Sequence, residues 1–196
     1  MATLSKNFYT RDDVVKISRA LIGKVLVSTV GGIVTSAIIT ETEAYAGIRD
    51  RASHAYGDRR TARTEPMYAE GGTTYVYLCY GIHHLFNVVT GRAGAPNAVL
   101  VRAGAPLQGL DTMRERRGGS APDSRLLSGP GSLAKALGIT TALTGTSLIE
   151  GVIRIENHGF RVAPSRIVAG PRVGVDYAGA DARLPYRFRV DPTDVR

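Results

Sequence analysis

The chain has 196 residues, 43% of them hydrophobic, and a formal net charge of +8 at pH 7. This composition suits one folded domain spanning 1–196 and excludes wholesale disorder. No apolar run reaches the ~18 residues of a membrane span, and a single cysteine, Cys79, excludes an intrachain disulfide and a cysteine-based zinc cluster.

The elements follow in chain order. Thr10 is placed to cap a first helix, with Asp12 and Asp13 in its opening turn and Val14, Ile17 and Leu21 on one face. Gly23 is placed to end it. Residues 24–30 read as a strand, Gly31-Gly32 as a tight turn and 33–42 as the return strand. Residues 46–72 lose periodicity and carry Arg49, Arg51, Arg59, Arg60 and Arg63. A loop of that length in a folded domain is functional or disordered. Residues 73–79 form an aromatic strand, Tyr80-Gly81 a turn and 83–90 its partner; 98–103 is a further short strand.

Pro106 is placed to start a helix carrying Leu107, Leu110 and Met113, with Arg114, Arg116 and Arg117 at its end. Residues 118–125 read as a polar loop. Ser128-Gly129-Pro130-Gly131 precedes a helix over 132–137, stopped by Gly138. Strand-like pieces follow at 148–156, 166–169 and 186–190. Hairpins with interspersed helices define an α+β fold around a largely antiparallel sheet.

The charge points to a partner. A pI near 9.9 is the footprint expected of a nucleic-acid binder, though positive charge also aids solubility. The bias of 21 Arg to 4 Lys suits phosphate recognition and equally a GC-rich genome. There is no phosphate loop, no nucleophile elbow and no metal-ligand spacing among His54, His83, His84 and His158, so neither a metal nor another cofactor is expected.

Two features remain. Glu41, Glu43 and Tyr45 alternate and therefore share one side of a strand end. A carboxylate there, beside an aromatic and before a basic loop, suits a general base; a solvent-facing strand edge explains either glutamate taken singly. Tyr75 and Tyr77 share a face, which strand propensity alone explains for Tyr75. Tyr80 at the turn tip suits a wedge into a base stack.

These runs, with Ala52-Ser53-His54, Arg60-Thr61-Ala62-Arg63, Asn87-Val88, residues 99–103, residues 126–130 and residues 171–175, follow in the same order as in the alkyladenine (3-methyladenine) DNA glycosylase family of the monofunctional type. The resemblance spans about residues 8 to 190. It implies hydrolysis of the N-glycosidic bond of a damaged purine flipped out of duplex DNA. Glu43 matches the general base, and Arg102 and the Val173 backbone carbonyl match groups that hold the nucleophilic water. Tyr45, His54, Tyr77 and Asn87 match the base pocket, and Tyr80 the wedge. Arg59, Thr61, Arg63 and Met67 match a DNA-facing loop. Ser128 and Gly129 could offer backbone N–H groups to a phosphate, or serve only as a helix cap.

The resemblance further implies a single compact domain with a curved sheet, surrounding helices and a protruding β-hairpin. The partner is damaged double-stranded DNA, and a cytoplasmic monomer is expected. No lysine lies near the Glu43, Tyr77 or Arg102 segments, which argues against Schiff-base lyase chemistry. Two other functions stay open at this point: a binder that clamps bent DNA or structured RNA, and a nucleoside hydrolase. A binder has no use for a buried carboxylate, and a nucleoside hydrolase has none for a wedge.

Overall fold

The structure, a computed structural model, describes residues 1–119 and 122–196. The strands in chain order are β1 (Ala2–Thr3), β2 (Val25–Ser28), β3 (Thr35–Tyr45), β4 (Thr74–Cys79), β5 (His83–Thr90), β6 (Asn97–Gln108), β7 (Ile153–Asn157), β8 (Val168–Gly170) and β9 (Arg187–Arg189). The helices are α1 (Lys6–Tyr9), α2 (Val14–Leu21), α3 (Leu110–Arg116) and α4 (Pro130–Leu137). All strand pairs are antiparallel, in the order β1-β7-β2-β3-β6-β5-β4, and β9 joins β3 and carries β8. The fold is α+β, as the hairpin pattern predicts.

Opposed residues of an antiparallel pair share a face, so the sheet divides cleanly. Thr42, Ala44, Val76, Phe86, Val88, Val99 and Val101 face the main core, where α2 and α4 cover them. The Thr42 hydroxyl donates to Ser18 O of α2 at 2.9 Å and so satisfies its polar group inside that layer. On the other face, one row crosses five strands: Tyr75 opposes Asn87, Asn87 opposes Leu100, Leu100 opposes Glu43, and Glu43 opposes Arg187. The 46–72 segment packs over this second face through a smaller cluster of Ala55, Met67, Tyr68, Tyr75, Val89 and Ala98. It contains only short 3-10 turns, at Gly47–Arg49, Tyr56–Asp58 and Glu65–Tyr68.

Several sequence expectations shift. Asp13, not Thr10, caps α2, its side chain accepting from Lys16 N at 3.0 Å. Thr10 instead closes α1. Gly31-Gly32 sits in a 3-10 turn, Val30–Gly32, within a longer β2–β3 connection than a two-residue hairpin. Pro106 does not start a helix: it lies in β6 opposite Ala37, next to an extra residue, Leu107, that interrupts the ladder. A proline is tolerated at such a bulge because no ladder N–H is needed there. The helix starts after Gly109, whose φ of +79° and whose hypothetical Cβ, 2.6 Å from Val34 O, both require glycine. The piece expected at 148–156 is a strand only over Ile153–Asn157. The expected polar loop at 118–125 includes residues 120 and 121, which lie outside the described residues. Among the described residues, no helix is long and apolar enough to cross a membrane.

Candidate active site

Glu43 stands in the five-strand row between Leu100 and Arg187, and its side chain has 0% exposure. An ionised carboxylate at that depth requires donors, and it has three. Val173 N–H donates to Oε1 at 2.8 Å, Tyr45 OH to Oε2 at 2.9 Å, and Arg102 Nη1 to Oε2 at 3.3 Å. The carboxylate has about four acceptor positions, which leaves room for one more donor.

Arg102 reaches Glu43 because of a fault in the ladder. Glu41 opposes Ala103 while Thr42 opposes Val101, so Arg102 is an extra residue on β6. Such a bulge turns a side chain out of its alternating direction. Arg102 Nε also donates to Glu41 Oε1 at 3.0 Å, and Arg187 Nε donates to the same oxygen at 2.6 Å. Glu41, Glu43 and Tyr45 do share a side, as their spacing predicts.

Val173 is held from behind. Arg172, with no side-chain exposure, donates to both oxygens of Asp50 at 2.5 and 2.8 Å and to Ala44 O at 2.8 Å. Its guanidinium also lies 4.9 Å from the Tyr45 ring centre and 5.3 Å from that of Tyr186. The segment after Pro171 is thereby fastened to the end of β3.

A cavity of about 610 Å³ opens in front of this cluster, lined by Tyr45, His54, Tyr77, Asn87, Arg102 and Val173 among others. Glu43 lies behind that wall. His54 Nδ1 is 2.9 Å from Tyr75 OH, and its ring meets Tyr77 edge-on at 4.6 Å between centres. Burial, then the Arg63 and Arg59 charges, push the His54 pKa down to about 4, so it is neutral at pH 7. Burial holds the Tyr45 and Tyr77 hydroxyls well above the ordinary tyrosine value, and Glu43 adds to this for Tyr45. Asn87 Nδ2 donates to Tyr75 O at 3.0 Å and Leu85 O at 3.2 Å, which fixes its amide.

Tyr80 stands at the β4–β5 tip with 91% exposure and φ +50°, at the mouth of the cavity. Arg59, Thr61 and Arg63 line a neighbouring depression of about 270 Å³, and Arg63 borders both spaces. Met67 is different: at 2% exposure it belongs to the small core cluster and to the cavity wall. Gly129 lines the cavity and precedes α4, while Ser128 is exposed and bridges Ala103. Pro130 at the first helical position has no N–H, so the free donors of that turn fall to Gly131 and Ser132.

The sequence alone assigns no site role to Arg172, Asp50 or Arg187, and strand propensity accounts for Tyr75; the one signal for Arg172 is its place in the 171–175 run. Among the described residues, no group of three or more His, Cys, Asp or Glu gathers to hold a metal.

The cavity's position limits what can enter it. It opens beside an exposed aromatic tip, and Arg51, Arg59 and Arg63 nearby form no ion pair among the described residues. Cavity, exposed tip and cations thus lie side by side, and an enzyme that takes a base out of its stack needs such a pocket within reach of the strand. Comparison with known proteins agrees. The chain belongs to the methylpurine-DNA glycosylase family, whose profile matches residues 7–193. It is 44% identical over 186 residues to a protein of Chlamydia felis, covering 94% of each chain. It is 42% identical over 190 residues to one of Bacillus mycoides, covering 93% of each. Both relatives are named, provisionally, as 3-methyladenine DNA glycosylases. This protein is a DNA glycosylase, a hydrolase of DNA repair.

Proposed function

We propose that the enzyme flips an alkylated or deaminated purine from duplex DNA and hydrolyses its N-glycosidic bond with a water activated by Glu43. The observation that carries this reading is the Glu43 carboxylate, wholly buried and oriented by three donors behind an aromatic cavity. Its open acceptor position takes a proton from the water that attacks the anomeric carbon. Its negative charge favours the oxocarbenium character that grows as the bond breaks. Arg102 and the Val173 carbonyl hold that water; the Val173 N–H remains on Glu43.

The cavity walls select the base. Tyr45 and Tyr77 present electron-rich faces, which stack best on electron-poor alkylated rings. With Tyr75 as donor to Nδ1, neutral His54 carries its proton on Nε2 and donates to the base. The anchored Asn87 crowds the purine C2 edge and rejects the guanine amino group. Tyr80 fills the gap left in the duplex, and Arg59, Thr61, Arg63 and the Ser128-Gly129 turn meet the backbone. One chain carries all of these parts, so a monomer suffices, acting on chromosomal DNA in the cytoplasm.

The substrate set is 3-methyladenine, 7-methylguanine, hypoxanthine and 1,N6-ethenoadenine, each leaving an abasic site. Strand cleavage does not follow, because no lysine amine lies at the sugar. Excision from duplexes carrying each lesion tests the reading. Release of free base with no adduct trapped by borohydride is expected; a trapped adduct, or no release from any of the four, contradicts it.

A further inference from the structure

Arg102 serves two carboxylates, and it does not serve them equally. Its contact with Glu41 Oε1 is 3.0 Å, while its contact with Glu43 Oε2 is 3.3 Å. Charge-assisted N–H···O bonds favour about 2.7–2.9 Å and favour two parallel bonds to one carboxylate. Both contacts are single bonds, and the one to Glu43 is the longer. Nothing on the Glu43 side forbids closer approach, because Glu43 Oε2 has only Tyr45 OH as its other partner. Glu41 holds the other edge of the same guanidinium, at Nε.

Glu41 is well placed to do so. It stands two residues before Glu43 on the same face of β3, and the bulge that aims Arg102 lies directly opposite. Its carboxylate is only 18% exposed, and Arg187 from β9 holds the same Oε1 at 2.6 Å. Arg187 sits opposite Glu43 in the ladder, so it fixes Glu41 from a framework that already includes the site. Two carboxylates and two guanidiniums thus make a neutral quartet in which Glu41 has two partners and Glu43 the weaker share of one.

We propose that Glu41 is a positioning residue for base excision: by holding Arg102 through Nε, it keeps the guanidinium from closing as a two-bond fork on Glu43, and so preserves the acceptor position that takes the water proton. This rests on the reading of Glu43 as the general base. Without the Glu41 charge, Arg102 has one anionic partner left and closes on it. Glu43 then loses its open acceptor position, and Arg102 no longer faces the water.

The test is a double-mutant cycle on single-turnover excision of hypoxanthine, with duplex affinity measured in parallel. Glu41→Gln keeps the shape and removes the charge. It is expected to slow excision by about 10- to 100-fold, the cost of a misplaced catalytic group, with affinity for the lesion duplex within about threefold of wild type. In an Arg102→Gln background the same change is expected to have little further effect, because coupled residues are non-additive. Glu41→Asp, which retains the charge, is expected to excise faster than Glu41→Gln. An equal slowing in both backgrounds would show a merely structural effect and overturn the proposal. So would an unchanged rate in Glu41→Gln, or an Asp variant no faster than the Gln variant. A Glu43→Gln enzyme that still excises would instead defeat the underlying reading, so the two failures are distinguishable.

Discussion

The Val173 N–H bonds to Glu43 Oε1 at 2.8 Å across 130 residues of sequence. A peptide group is a donor whose position is set by the backbone, so the carboxylate is aimed by the fold rather than by a mobile side chain. The quality of that aim depends on what fastens the 171–175 segment, and Arg172 does so from below.

Asp50 is the counter-charge that makes this possible. Asp50→Ala leaves Arg172 buried and unpaired, which is expected to cost about 3–5 kcal/mol. Denaturant unfolding should show that loss. Excision should fall further than stability predicts when both are measured where the variant is still folded, because Val173 loses its anchor.

His54 is neutral in the folded protein, with a pKa of about 4 against an ordinary 6.5. The unfolded chain therefore binds the His54 proton more readily between these values. The stability this residue contributes is complete above pH 6.5 and is lost as the pH falls through about 4. Ring-carbon NMR titration should place its midpoint near 4, and Arg63→Met should raise that midpoint by removing the charge that, after burial, lowers it most.

Tyr80 holds a left-handed conformation at φ +50° while almost wholly exposed. That backbone costs a non-glycine residue about 1–2 kcal/mol, against which glycine loses about 0.5–1 kcal/mol of chain entropy. Tyr80→Gly should match wild-type stability or exceed it by up to about 1.5 kcal/mol in thermal unfolding, yet excise more slowly. Equal excision would remove Tyr80 from the wedge role.

Asn87→Ser should increase release of guanine-type bases relative to hypoxanthine, because the amide fixed by Tyr75 O and Leu85 O is lost. The ratio of released bases, read by chromatography from matched duplexes, checks this directly.

The elements legible in the sequence were those whose pattern is local. Strand β5 keeps the bounds 83–90 expected of a partner to the 73–79 strand across the Tyr80-Gly81 turn, and the shared face of Glu41, Glu43 and Tyr45 follows from strand alternation. What was not legible depends on partners. The extra residues at Thr40 and Arg102 obey no period; each exists only relative to the opposing strand. Pro106 carried a helix-start signal that the ladder overrode, and Asp13 displaced Thr10 as a cap by one turn's geometry. Tyr75 looked like an ordinary strand tyrosine until a loop 21 residues earlier placed His54 against its hydroxyl. Arg172 gave no local sign that it would be buried, since burial of an arginine is set by the Asp50 it meets.

The central claim is that Glu43 activates the attacking water. It is tested most directly by Glu43→Gln, assayed for single-turnover excision and for affinity to a lesion duplex. The account predicts affinity close to wild type and excision abolished. Excision at an unchanged rate would contradict it.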